Sequence, residues 1–141
     1  MQVARNNILA LDVGGRRIGV ATADLNARLP KPLKTVIVDE SVYEQLKVLV
    51  EQQEAAGLVL GLPRGLEGQE TGQTRTVRSF AETLQGHVAV PLYWQDEALT
   101  SRKAEEELER RGKPYKKGDI DSLSATYILE DFLHDHPEVK A

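Results

Sequence analysis

A chain of 141 residues with a formal charge of −4 and no cysteine is long enough to bury about two thirds of its unfolded surface without covalent staples, and it excludes disulfide frameworks, thiolate metal sites and cysteine nucleophiles. Net negative charge argues against gripping nucleic acid by global charge, while leaving room for a local basic patch. The opening MQVARNN lacks the apolar core of a secretory signal and no apolar run approaches the ~20 residues that span a bilayer, so the expectation is one soluble, cytoplasmic domain over residues 1–141 with no membrane partner.

The stretch Ile8 to Ala23, ILALDVGGRRIGVATA, places two β-rich apolar runs around Gly14-Gly15-Arg16-Arg17. Paired glycines permit the positive φ angles of a tight hairpin, so the stretch predicts one. The first run reads as a strand covered on both faces, yet it carries a carboxylate, Asp12, just before the turn. A buried, unpaired carboxylate neutralises, finds a donor or coordinates a cation. Read from the turn alone, Asp12 is equally an Asx-type cap on the Gly-Gly turn.

Beyond a polar turn at Asp24–Leu29, Pro30-Lys31-Pro32 leads into LKTVIVD, a third strand whose prolines suit a sheet edge. Ser41 is placed to cap a helix running to about Ala56, with Glu44 in the capping-box position and Leu46, Leu49 and Val50 as the apolar stripe. Gly57 ends it, and LVLGLP reads as a buried parallel strand, turning the pattern into βαβ. PRGLEGQETG, Pro63 to Gly72, predicts a surface loop at the carboxyl end of that strand, where open α/β sheets bind ligands. Thr74 to Leu84 predicts a helix with Val77, Phe80, Ala81 and Leu84 inward and Arg75 and Arg78 on another face.

Gly86 stops that helix, and HVAVPLYW predicts a fifth strand that delivers Gln95, Asp96 and Glu97 to the same end of the sheet. Thr100 or Ser101 caps a charged helix, SRKAEEELERR, whose apolar face is thin. RRGKPYKKGD reads as a basic loop. Asp119 is then expected to cap the last helix, on which Asp121, Ser124, Ala125, Ile128 and Phe132 share a face by i, i+3, i+4, i+7 spacing. The small residues there would let its start lie close against the sheet.

Asp12 at the end of a central strand, Glu97 just past another and Asp121 in the first turn of the last helix stand at comparable places. Singly, Glu97 is also an ordinary solvated acid and Asp121 a carboxylate complementing the helix dipole. Jointly, a βββαβαβ order with a closing helix can bring all three to one end of the sheet. Oxygen-only ligands suit Mg²⁺ or Mn²⁺, and two such ions about 4 Å apart can activate water and stabilise the leaving oxygen of a phosphodiester.

LDVGGRRIGVATAD, GLPRGLEG, DEALTS and DIDSLSATYIL, in that order and over nearly the whole chain, resemble the bacterial YqgF/RuvX proteins, which carry the name of Holliday junction resolvases and have an RNase H-like nuclease fold. The resemblance implies a five-stranded mixed sheet in order 3-2-1-4-5, its first three strands antiparallel, flanked by about four helices. It also implies that Asp12, Glu97 and Asp121 form a divalent-metal catalytic triad, and that the substrate is a four-way DNA junction or the 5′ end of small-subunit ribosomal RNA precursor. Gly15 and Arg16 depart from the hydroxyl residue and lysine usual in the family, Ala98 from an arginine and Glu67 from an aspartate, and Gly65 and Leu66 stand near a missing loop asparagine. These departures fall around the three acids and bear on substrate grip.

Arg16, Arg17, Arg64, Arg75, Arg78, Lys113, Lys116 and Lys117 are candidates for phosphate contacts, which position a backbone without reading its sequence. Each is equally a solvated surface charge. Tyr115 could stack on a base, Trp94 and Phe80 read as core, and His87, His134 and His136 as surface or helix-end residues. Two other functions remain readable: a non-catalytic nucleic-acid-binding factor, and an ATP-binding kinase-like domain, whose phosphate hairpin the Asp-x-Gly turn also resembles. Symmetric cutting of a junction would need two sites, hence a homodimer, which the sequence permits without requiring.

Overall fold

The structure, a computed structural model, describes residues 5–97 and 100–141. Its strands are β1 (Asn7–Val13), β2 (Arg17–Asp24), β3 (Lys31–Ile37), β4 (Ala55–Pro63) and β5 (Leu92–Glu97), and its helices are α1 (Val42–Gln52), α2 (Gly72–Gln85), α3 (Thr100–Arg111) and α4 (Lys117–Asp135). The strands form one sheet in the order β3-β2-β1-β4-β5. β1, β2 and β3 pair antiparallel, whereas β4 and β5 continue parallel to β1. This is the order and direction that the resemblance implies.

Side-chain alternation sends each strand's residues to opposite faces. Leu9, Leu11, Ile18, Val20, Leu58 and Leu60 pack on one face against Leu46, Leu49 and Val50 of α1 and Ala81 and Leu84 of α2. On the other face Ile8, Ala10, Ala21, Ala23 and Val59 lie under Ala125, Ile128, Leu129 and Phe132 of α4. The second face is lined by small residues, so α4 packs close. Helix α3 leans on α4 through Ala104, Leu108 and Leu123, the thin apolar contact its sequence predicts.

Several local expectations are corrected. Positive φ is found at Arg28, Glu54, Gly68 and Gly112 among the described residues, and not at Gly14 or Gly15. Gly14 is needed for close approach instead: its N–H donates to the Arg17 carbonyl at 3.0 Å, and a Cβ there would stand 2.7 Å from that oxygen. Helix α1 ends at Gln52 rather than near Ala56, because Glu54 takes φ 51° and reverses the chain so that β4 starts at Ala55. Ser41 makes no side-chain cap. Its N–H and Oγ both donate to Asp39 Oδ1, at 2.8 and 2.6 Å, so Asp39 organises the turn and its carboxyl sits below the usual range.

β5 spans Leu92–Glu97 rather than residues 87–94. Pro91 has no N–H for a ladder, and its carbonyl accepts from Leu58 at 3.0 Å, so regular pairing begins only at Leu58 with Leu92. Glu97 is therefore the last residue of the strand, not the one past it. Helix α4 begins at Lys117, and the Asp119 carboxylate accepts the Lys116 N–H at 2.9 Å from inside the first turn. Asp119 is thus not the N-cap, and Asp121 moves into the second turn. The capping side chain expected at Thr100 or Ser101 lies outside the described residues, as does Ala98.

Trp94, expected in the core, is 36% exposed. It sits on the edge strand β5, and its ring is covered by the Arg78 guanidinium 5.5 Å from its centre. Phe80 is half-buried and stacks on Tyr43, whose ring also stacks on the exposed His87. Pro32 enters the edge strand β3 where the register with β2 shifts, Val20 facing Lys34 and Ala21 facing Pro32. Among the described residues no helix is long and apolar enough to cross a membrane.

Candidate active site

The register of β1 and β2 sets Asp12 directly opposite Gly19, so both belong to the face that α4 covers. A Cβ on Gly19 would overlap the backbone carbonyl of Asp121. The bare glycine therefore lets the α4 backbone rest on β2 beside Asp12. Ser124 and Ala125 on the same helical face are fully buried, as the spacing predicts.

Glu97 comes to Asp12 across β4. Its strand partner is Pro63, while Gly61, two residues earlier, lies on the face beneath α4. A Cβ on Gly61 would stand 3.3 Å from Glu97 Oε2 and 2.6 Å from Ile128 Cδ1. Because Gly61 carries no side chain, the Glu97 carboxyl passes over it and hydrogen-bonds the side chain of Asp12. Burial, then the charge and hydrogen bond of Glu97, and finally the charge of Asp121 push Asp12 up to about 8. Two carboxyl groups in one hydrogen bond must share a proton, so Asp12 is protonated at neutral pH in this state.

The third acid is engaged elsewhere. Asp121 Oδ2 accepts from Arg17 Nε at 2.7 Å, with side-chain exposures of 33% for Arg17 and 21% for Asp121. Among the described residues no three or more His, Asp and Glu side chains are already gathered as a metal-holding group. The donor set nevertheless fits a hard divalent cation: all its donors are carboxylate oxygens, and Asp12 and Glu97 lie so close that only a proton or a cation relieves their repulsion.

The basic candidates divide. Arg17 is held by Asp121. Arg64 Nε faces Asp96 at 3.4 Å, and Arg78 Nε donates to Glu70 at 2.6 Å, which draws Glu70 below the usual carboxylate range. Arg16, Arg75, Lys113, Lys116 and Tyr115 are exposed, and the Lys117 side chain lies outside the described residues. Arg16 and Arg17 flank the turn beside Asp12, Arg64 follows the end of β4, and Arg75 and Arg78 stand on α2. The loop carrying Lys113 and Lys116 leads into α4 near β3, where Thr35 Oγ1 donates to the Gly118 carbonyl at 2.7 Å.

Two glycine positions, Gly19 and Gly61, shape the candidate site by close approach and are missed by motif reading. The first follows from the hairpin register, which sets Gly19 opposite Asp12, and not from counting in twos along the chain, which lands on Ile18 and Val20. Thr74 is a third: fully buried, its hydroxyl donates to the Pro63 carbonyl and accepts the Thr71 N–H, the latter at 2.9 Å. It ties the start of α2 to the strand end from which the 64–71 loop departs.

A five-stranded sheet of this order, with α4 closing the face that carries the Asp12–Glu97 pair, defines an RNase H-like nuclease domain. Residues 6–135 match RuvX, a family described as Holliday junction resolvase, and the chain belongs to that family. It is similar to proteins named "Putative pre-16S rRNA nuclease" from Sulfurihydrogenibium sp., 38% identical over 130 residues and covering 91% of this chain and 90% of that one, and from Chloroflexus aurantiacus, 42% identical over 130 residues and covering 89% and 85%. In fold it resembles Thermus thermophilus RuvC, with a TM-score of 0.59 at 12% identity over 95% of this chain and 98% of that one. It also resembles the fowlpox virus Holliday junction resolvase, with a TM-score of 0.53 at 9% identity over 92% and 98%.

Proposed function

We propose that this chain is a divalent-metal-dependent endonuclease in which Asp12, Glu97 and Asp121 hold Mg²⁺ or Mn²⁺, and that its substrate is ribosomal RNA precursor. The observation that carries the reading is the direct pairing of Asp12 with Glu97 beneath α4. A solvated acid does not adopt this arrangement, and a surface that only binds phosphates gains nothing from it. The RNA substrate is favoured by the names of relatives at 38% and 42% identity. Junction DNA is the second reading, favoured by the family's description.

A bound divalent ion supplies Lewis acidity toward water and toward the phosphate oxygens. The protein's own part is to bring the carboxyl groups of Asp12 and Glu97 together, with Asp121 nearby on Arg17, and to give all three up to that ion. Asp12 is rigid because it ends a buried strand. Glu97 is positioned by its passage over Gly61, and the α4 backbone that carries Asp121 by its seat on Gly19. Arg16, Arg64, Arg75, Lys113, Lys116 and Lys117 offset the charge of the incoming backbone, since an acidic cluster alone repels it. Cutting a junction symmetrically adds the requirement of a homodimer. The chain works as a single cytoplasmic domain.

Labelled rRNA-precursor fragment, four-way DNA junction, matched duplex and single-stranded RNA incubated with Mn²⁺, with Asp12→Asn as control, test the proposal. RNA cleavage abolished by Asp12→Asn is the expected result. Paired symmetric nicks on the junction alone would transfer the activity to DNA. Tighter nucleic-acid binding by Asp12→Asn, with no cleavage of any substrate by the wild type, would make the chain a binding factor.

A further inference from the structure

Arg17 and Asp121 are separated by 104 positions in sequence and brought to 2.7 Å in space. The helix backbone at Asp121 is seated on Gly19, two residues along β2 from Arg17, so strand and helix meet backbone to backbone. What remains free to change is the side-chain rotation of Asp121. The other two acids are turned to each other, and the third is turned to the guanidinium. A divalent ion attracts the same carboxylate oxygen that Arg17 now holds.

We infer, resting on the metal-dependent reading above, that Arg17 is a positioning residue which serves as the counter-ion of Asp121 until a divalent cation arrives and then releases the carboxylate to it. The guanidinium takes the place of the missing positive charge and offsets the charge that Asp121 adds to the repulsion at Asp12 and Glu97. On release it lies at the rim of the acid cluster with its donors unspent, where a phosphodiester oxygen is the acceptor it fits. One residue thus exchanges a protein carboxylate for a substrate phosphate, and the exchange is coupled to ion loading.

The pair itself can be observed in the full chain with Mg²⁺ alone. A bonded Arg Nε–H gives a ¹⁵N-resolved resonance protected from solvent exchange, which should lose that protection as Mg²⁺ saturates the site. By calorimetry with Mn²⁺ alone, Arg17→Gln should bind the ion about ten-fold more tightly than wild type, the scale of one charge-assisted bond no longer broken. Arg17→Lys, which keeps the charge without the planar fork, should fall between. A merely structural role for Arg17 would lower the melting temperature and leave ion affinity unmoved.

An Nε–H resonance that stays protected at saturating Mg²⁺ overturns the inference, and so does an Arg17→Gln affinity equal to or weaker than wild type. Should the variant fail to fold, the wild-type resonance still decides. Wild-type protein that binds neither ion would overturn the metal reading itself, a result distinct from ion binding with the Arg17 pair intact.

Discussion

Glu97 reaches Asp12 across the bare backbone of Gly61, so the contact between two acids on β1 and β5 depends on what a third strand lacks. Gly61→Ala introduces a Cβ 2.6 Å from Ile128 Cδ1 and 3.3 Å from Glu97 Oε2. The isoleucine end can rotate away, whereas the carboxyl has to shift. We expect a stability loss of about 1–2 kcal/mol and a fall in cleavage of roughly ten-fold or more, since small misplacements of reacting groups are costly. Adding Ile128→Val should restore the melting temperature without restoring cleavage. Full recovery of both would place the cost in packing alone.

Gly19 has no such escape. A Cβ there would meet the carbonyl of Asp121 and lie 2.7 Å from the Ser122 nitrogen, which are backbone atoms of a helix fixed by Ile128, Leu129 and Phe132. Gly19→Ala must lift α4 from the sheet and expose that core. The expected cost exceeds ~4 kcal/mol, in the range reserved for backbone overlap and core loss. Circular-dichroism melting checks it, and a variant melting within a few degrees of wild type would mean that the helix is not seated as described.

How the chain pairs was readable; where its helices and strands stop was less so. The continuous apolar runs ILALDV and IGVATA around Gly14-Gly15 mark two buried strands of a hairpin, and of the three acids the structure turns Asp12 and Glu97 to each other while Asp121 faces Arg17. Boundaries at Gln52, Leu92 and Lys117 are not set by apolar periodicity: a left-handed Glu54 ends the first, the Asp119 carboxylate bound to the Lys116 N–H starts the last, and only the second depends on a remote contact, the Pro91 carbonyl held by Leu58. Trp94 reads as core because HVAVPLYW is apolar in composition, yet its strand lies at the sheet edge, where the Arg78 guanidinium of α2 covers the ring. The role of Arg17 was hidden for the same reason. A basic residue in a turn looks solvated until a helix 104 positions away is placed beside it.

Thr74 provides a test of the loop behind the site. Its hydroxyl is the donor to the Pro63 carbonyl and the acceptor from the Thr71 N–H, so Thr74→Val keeps the volume and takes this partner from two half-buried polar groups. The expected loss is about 1–3 kcal/mol, seen as a lower urea midpoint with an unchanged slope. Loosening of the 64–71 loop should also weaken nucleic-acid binding through Arg64, while Mn²⁺ affinity stays at the wild-type value. A reduced ion affinity would instead tie the loop to the acid cluster.

Asp12 sets how ion-free stability varies with pH. Its native carboxyl is raised to about 8 from an ordinary value of 3.8, mainly by burial. As pH rises through 3.8 the unfolded chain releases this proton while the native state keeps it, so the native state is progressively disfavoured until the native carboxyl also ionises near pH 8. The contribution is absent below the lower value and complete above the upper one. Asp12→Asn removes it, so the variant should match wild type near pH 4 and melt on the order of 5–10 °C higher at pH 8 without metal. Adding Mg²⁺ should raise the wild type and leave Asp12→Asn nearly unchanged, because binding to the ionised carboxylates adds stability only where they can form. A wild-type melting temperature that climbs between pH 5 and 8 in chelator would show that Asp12 is ionised in the native state and that the proton shared with Glu97 is not there.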